Sequence, residues 1–429
     1  MSEVPDVVVS VTQGGRPVLN SGLLRTHVVI GAASSGALTT KEVNLDTLLS
    51  NYTSGDAVKA AARAIDRVSA NCLFVRRTHT AVASTKTIDE SGVTGTSNLT
   101  LTGTATEAFD ITFTVTSGGT IGTSNATYSL VINGVTTTGT ITSPAATVTL
   151  TGTGMTLNFS VGTLVTADVA IIYSTDPSPS VLSLLKSGGG TLTVTSSGTP
   201  LETVRGRIEF LNAGTAGVDG GTYRVSLDNG ATWQPTVSLG EDDFIIVQDH
   251  RRDYDGTYTT TGVTLDLTAT ETFTATTVIT FRTTGPKVAI ADVITAIGVA
   301  AASSFKTRGW RLFHIVGEYT RAEMAQIQTT LNSLQSSKIW NYAVMQFRDK
   351  RPSETEANWL AELVAERALL DTNRVDPCAG YARSFTCPIT GRLDRRPAAW
   401  LDVVRRLCVG VNIESGRYKD GPLGSEVNG

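Results

Sequence analysis

Thr127-Tyr128-Ser129-Leu130-Val131-Ile132-Asn133-Gly134 and, further along, Thr222-Tyr223-Arg224-Val225-Ser226-Leu227-Asp228-Asn229-Gly230 are two versions of one hairpin signal. Each alternates its side chains at the strand period and ends on Asn-Gly, the pair a type I′ turn favours because both central residues need positive φ. The likeness extends on both sides. Gly119-Thr120-Ile121-Gly122-Thr123 precedes the first version and Gly214-Thr215-Ala216-Gly217-Val218 the second. Downstream, Thr153-Gly154-Met155-Thr156-Leu157-Asn158-Phe159 parallels Thr261-Gly262-Val263-Thr264-Leu265-Asp266-Leu267. The same signals in the same order predict two tandem antiparallel β-sandwich-like insertions, over residues 91–177 and 178–285. Helical periodicity nearly vanishes from Ser91 to Gly285, where Thr, Gly, Ser and Val dominate. Between the copies, Val181-Leu182-Ser183-Leu184-Leu185-Lys186 reads as a short helix, followed by the linker Gly188-Gly189-Gly190.

Outside this region the chain reads as α/β. Over residues 25–90, the strand His27-Val28-Val29-Ile30-Gly31 leads through a loop to a helix capped by Asp56, with Val58, Ala61, Ala62, Ile65 and Val68 on one face. Cys72-Leu73-Phe74-Val75 is the next strand. Residues 286–429 resume the pattern: a helix from Ala289 to Ser303, a strand Arg311–Val316, and a capping box at Thr320-Arg321-Ala322-Glu323. That box opens a helix with Met324, Ile327, Leu331 and Leu334 inward, before the strand Tyr342–Phe347. Ser353-Glu354-Thr355-Glu356 caps a helix with Leu360, Leu363 and Val364 inward, and Pro397 starts a last helix carrying Trp400, Val403, Val404, Leu407 and Cys408. The two α/β segments read as one core interrupted by the paired β insertion.

At 429 residues the chain exceeds a single ordinary core. A net charge of −4 gives no global footprint for nucleic acid or an anionic membrane. No apolar run reaches the length of a membrane span, and the opening Met1-Ser2-Glu3-Val4-Pro5-Asp6 has no secretory n-region, so synthesis in the cytoplasm is expected. Cys72, Cys378, Cys387 and Cys408 are widely spaced and read as reduced, buried thiols, the sharper alternative being cross-links between subunits.

Candidates for chemistry are thin. His27, His79, His250 and His314 are scattered and lie in no metal or triad motif. Gly31-Ala32-Ala33-Ser34-Ser35-Gly36 follows a strand as a phosphate cradle would, but lacks the lysine and the immediate helix. Asp249, Asp253 and Asp255 form an acidic cluster whose spacing does not match a calcium loop, and it reads as a solvated tip. Arg392, Arg395, Arg396, Arg405 and Arg406, with Asp394 and Asp402, read as a solvated or subunit-contact face without the aromatic set that stacks on bases. These readings point away from an enzyme and imply no cofactor, no metal site and no sequence-specific nucleic acid.

The order Pro5-Asp6-Val7-Val8-Val9, then Val28-Val29-Ile30-Gly31-Ala32-Ala33, a helix, and Cys72-Leu73-Phe74-Val75-Arg76-Arg77 resembles the start of contractile phage tail sheath proteins. Arg395-Arg396-Pro397-Ala398-Ala399-Trp400 and Gly416 through Asp420-Gly421-Pro422-Leu423 resemble a sheath subgroup of long-tailed phages. The resemblance covers roughly 25–90 and 285–425. It implies a sheath-like α/β core, hexameric rings stacked around a tail tube, baseplate and tail terminator proteins as partners, and a place in the virion tail. It also implies arms that add strands to an adjacent subunit. In residues 1–24, Val7, Val8, Val9 and Val11 favour an extended chain with alternate side chains sharing a face, which makes them the expected donors. Related sheaths continue beyond the point where this chain reaches Gly429, so a shorter relative such as a baseplate or terminator component is an alternative. A surface adhesin or carbohydrate-binding protein built on the β modules is the rival from another class.

Overall fold

The computed structural model describes residues 27–52, 54–68, 72–77, 81–252, 258–303, 312–335, 341–350, 355–371, 374–389 and 393–408. The fold is mixed α/β and rich in antiparallel sheet, with six helices among the described residues. It divides into two compact units, Met1–Thr80 with Leu184–Asp349 and Ala365–Gly429, and Ala81–Ser183 with Lys350–Val364.

The first unit is built on a six-stranded sheet ordered Lys41–Val43, Cys72–Arg77, His27–Ala32, Leu312–Glu318, Tyr342–Gln346, Val375–Cys378. The first of these is antiparallel to its neighbour and the other five run parallel. Val28, Val29, Ile30, Phe313 and Ile315 are fully buried, as expected of unbroken apolar runs in a parallel sheet covered on both faces. Strands from before and after the β region are hydrogen-bonded neighbours, Val28 pairing with Phe313 and Val29 with His314.

Six helices complete the architecture: α1 (Leu45–Asn51), α2 (Asp56–Val68), α3 (Ile290–Ala302), α4 (Arg321–Leu334), α5 (Glu356–Ala368) and α6 (Ala398–Cys408). Gly31 is needed where it stands, because a Cβ there would lie 2.4 Å from Cβ of Ala57 on α2. The bare backbone lets α2 sit on the sheet, where Ala57, Ala61, Ala64 and Ile65 join Trp400, Val403, Val404 and Leu407 of α6 in one core cluster. The capping box at Thr320 and Glu323 forms in both directions at the start of α4. A second box, Asn44 with Thr47, starts the short helix α1 within the stretch expected to be a loop.

On α5 Leu363 is buried, but Leu360 and Val364 are 47% and 68% exposed, against the expectation that all three point inward. Trp359 takes the buried position instead, and a helix covered along one narrow line can hide only part of a broad apolar stripe. Α6 begins at Ala398, one residue after Pro397, which ends the strand Leu393–Pro397.

Each β module pairs a five-stranded sheet with a three-stranded one. The first module runs Lys86–Gly92, Val169–Ser174, Asp110–Ser117, Ala126–Ile132, Val135–Ile141, with Thr147–Leu150, Met155–Phe159 and Leu99–Gly103 opposite. The second runs Ser180–Ser187, Val278–Thr284, Arg205–Phe210, Thr222–Ser226, Val237–Ser238, with Phe244–Arg252, Tyr258–Leu267 and Val194–Gly198. The order is the same strand for strand. Asn133 and Gly134 have φ of 46° and 83°, and Asn229 and Gly230 have 59° and 87°, the left-handed pair these turns require.

Two readings are corrected here. Val181–Lys186 is not a helix but the body of the strand Ser180–Ser187, the counterpart of Lys86–Gly92. A six-residue run with four apolar positions carries too little periodicity to separate the two states, and pairing beside Val278–Thr284 decides it. The first module begins at Lys86 rather than Ser91, because the polar run Lys86–Gly92 pairs with Val169–Ser174.

Candidate functional site

Taken in chain order, the parallel strands of the six-stranded sheet lie second, first, third, fourth, fifth. The order reverses between His27–Ala32 and Leu312–Glu318. Doubly wound sheets hold their ligands at that reversal, outside the C-terminal ends of the strands. In this chain the place is taken by its own side chains.

Gly31–Gly36, the loop leaving the first strand, is closed from within. The Arg76 guanidinium donates to the carbonyls of Ala33 (Nε, 2.9 Å) and Gly36 (Nη1, 2.6 Å). The Ser34 N–H donates to the Ser54 carbonyl at 3.0 Å, and the two hydroxyls meet at 3.1 Å. A phosphate loop converges N–H groups on an anion. This loop converges carbonyls on a cation, which the chain supplies.

The N-terminus of α2 is occupied in the same way. Asp56 opens the helix, and its carboxylate accepts from the Thr203 hydroxyl at 3.0 Å, with Arg396 Nη1 3.9 Å away. Thr203 and Glu202 precede the strand Arg205–Phe210, so they belong to the root of the second β module. The Gly285 N–H donates to the Thr203 hydroxyl at 2.9 Å, and the Thr283 hydroxyl to the Glu202 carbonyl at 2.6 Å. One turn along α2, Lys59 pairs with Glu202, and the two side chains are only 3% and 1% exposed. The loop that leads into Arg205–Phe210 is therefore pinned to the helix that covers the sheet, and the chain's exit from the second module at Gly285 is tied to that loop. Beside them, the Tyr381 hydroxyl donates to Glu318, and burial together with that carboxylate pushes the phenol well above its ordinary range. This is a joint made of ion pairs and hydrogen bonds.

The other candidate residues fall apart in space or sit in the core. His27 and His314 are buried on adjacent strands, and His314 meets Trp400 edge-on with ring centroids 6.5 Å apart. Arg396 and Arg405 are buried, and Arg406 pairs with Asp402 (2.5 Å) and with Asp376. Arg396, Arg405 and Arg406 are thus not on the solvated side of the solvated or subunit-contact reading: Arg396 and Arg405 are buried, and Arg406 pairs with Asp402 on its own helix. Cys72 and Cys387 are buried and Cys378 half-buried, and burial pushes the Cys72 and Cys378 thiols far up. Val7, Val8, Val9 and Val11, His79, Arg392, and the side chains of Asp249, Asp253 and Asp255 lie outside the described residues. Among the described residues no cluster of His, Cys, Asp and Glu could hold a metal ion, and no helix is long and apolar enough to cross a membrane.

The histidine pair yields a test. Burial and the neighbouring His27 hold His314 down at about 3, against an unfolded value of about 6.5. Between those values the unfolded chain binds the extra proton. Stability is therefore full above the unfolded pKa and is lost as pH falls below it. Denaturant titrations should find the first unit about 2 kcal/mol weaker at pH 5 than at pH 7. His314→Gln should remove most of that slope. An unchanged slope in the variant would assign the pH dependence to another group.

The architecture is that of a doubly wound α/β scaffold carrying two β modules. The chain matches DUF2586, N-terminal domain, over residues 4–399 and belongs to that family. No curated protein matches it.

Proposed function

We propose that this chain is the structural subunit of a contractile tail sheath, polymerising as stacked hexameric rings around a tail tube and contracting to drive the tube through the host envelope. One observation carries the reading. The chain leaves its core sheet after Arg77, builds two β modules, and returns at Leu312 to complete the same sheet, while the ligand crevice of that sheet is filled by its own ion pairs. Such a core suits rigid-body movement better than turnover. Lys41–Val43 and Val375–Cys378 form the edges of the sheet, and an edge is where a neighbour's extended segment adds. Val7, Val8, Val9 and Val11 are the donors in this reading. Its partners are further copies of the chain, the tube protein, and baseplate and terminator proteins, in the virion tail.

Native mass spectrometry of the purified chain tests the stoichiometry. Hexamers and multiples of six are expected, and a chain that stays monomeric into the high micromolar range would overturn the reading. The adhesin reading draws on the stretch from Ile111 to Ala167, which contains no Asp, Glu, Lys, Arg or His. It predicts instead a monomer retained on a glycan surface.

A further inference from the structure

Among the described residues, the five-stranded sheet of the first β module ends on a strand with no other strand beyond it. Val135–Ile141 (Val-Thr-Thr-Thr-Gly-Thr-Ile) is the outermost strand, and its residues from Val135 to Thr138 are all exposed. Natural edges are blunted by charge, proline, bulges or shortness. The opposite edge of the same sheet, Lys86–Gly92, carries Lys86, Asp89 and Glu90. The equivalent edge of the second module is cut to Val237–Ser238 and followed by Glu241, Asp242 and Asp243. Val135–Ile141 has none of these devices, and it lies within the uncharged stretch from Ile111 to Ala167.

We infer that Val135–Ile141 pairs antiparallel, about a two-fold axis, with the same strand of a second copy of this chain. The strand reads nearly the same in both directions, and only its own antiparallel copy makes use of that. Centred on Thr138, the register sets Val135 against Ile141 of the second copy, Thr136 against Thr140, and Thr137 against Gly139. The two-residue Asn133-Gly134 turn makes Ile132 and Val135 a hydrogen-bonded pair, so the N–H groups of Val135, Thr137 and Gly139 point inward to Ala126–Ile132. Those of Thr136, Thr138 and Thr140 are left pointing outward. They are the groups this register uses, with Thr138 facing Thr138 and Thr136 facing Thr140 as hydrogen-bonded pairs.

Side chains agree with the backbone. Val135 is 67% exposed at the hairpin tip, and Ile141 on the same face is 3% exposed at its base. The pairing lays the exposed tip of each copy beside the buried base of the other. On the outer face it forms a ladder of threonine pairs, which stabilise cross-strand contacts. No charge on either edge opposes the contact. A two-fold contact cannot be one of the heterologous contacts that build a polar ring, so this inference stands independently of the function proposed above.

Cross-linking of the full-length chain reads this contact whatever else assembles. Cα atoms of a hydrogen-bonded antiparallel pair lie about 5.5 Å apart, within reach of a disulfide. Mild oxidation of Thr138→Cys should give a covalent dimer on a non-reducing gel. It should form at least ten times faster than for Ser238→Cys, at the equivalent edge of the second module, and wild type should give none. Adding Thr136→Lys and Thr140→Lys should slow the cross-link about ten-fold by setting like charges opposite each other, and Thr136→Lys with Thr140→Glu should restore it. Restoration also shows that the variants fold. Thr138→Cys dimerising no faster than Ser238→Cys, or at a rate blind to the charge pattern, would overturn the pairing.

Discussion

Glu202→Gln should lower the stability of the first unit by about 3–5 kcal/mol, and Lys59→Met alone should cost about as much. Either change leaves one charge buried without its counter-ion: Lys59 is 3% exposed and Glu202 1%, and the pair sits between α2 and the root of the second β module. The double variant Lys59→Met/Glu202→Leu should recover most of the loss. Replacing a buried ion pair by apolar groups of similar volume is often neutral or stabilising, because the desolvation of both ions disappears with their attraction. Urea midpoints of the four proteins close the cycle. Single variants that each cost under about 1 kcal/mol would mean that water reaches the pair and that the joint at the α2 N-terminus does not hold the module in place. The hydrogen bonds from Thr203 to Asp56 and from Gly285 to Thr203 would then have to carry the attachment alone.

Removing residues 1 to 15 should leave a folded monomer with almost unchanged melting that no longer assembles. In the proposed extended arm Val7, Val9 and Val11 would share one side, and a segment this short could not bury that side on itself. Adding it to a neighbour's sheet edge satisfies its backbone groups and provides a link that survives large rigid-body movement. The melting temperature is the control, since a segment that packed within its own subunit would lower it when lost. Sedimentation velocity on the two chains separates the cases. A truncated chain that assembles as well as the full one would remove the donor role from Val7, Val8, Val9 and Val11.

The local parts of this fold were legible in the sequence. Asn133-Gly134 states its turn because a positive φ at two successive residues selects so few side chains, whereas Asn229-Gly230 has the same left-handed pair but lies in the longer loop between Thr222–Ser226 and Val237–Ser238. Thr320 and Glu323 announce α4 because both halves of the cap lie within one turn. Short or one-sided signals failed. Val181–Lys186 could not be told from a helix without its neighbour Val278–Thr284, and the stripe on α5 did not reveal that Trp359 rather than Leu360 would be covered. The joint was invisible for a different reason. Asp56 meets Thr203 across 147 positions of chain, and Arg396 comes to the same carboxylate from the far end of the molecule. A charge pattern read along the chain puts Arg396 and Arg405 on a solvated or subunit-contact face, whereas folding buries both. Covariation between Lys59 and Glu202 in related chains is the signal that could have disclosed the pair.

We propose a self-assembling scaffold whose core sheet carries structure rather than chemistry. Negative-stain electron microscopy of the full-length purified chain, at concentrations from one to a hundred times about 1 μM, tests it most directly. Hollow tubes or stacked rings with six-fold end views are the expected result. A field of single particles of monomer size at every concentration would contradict it.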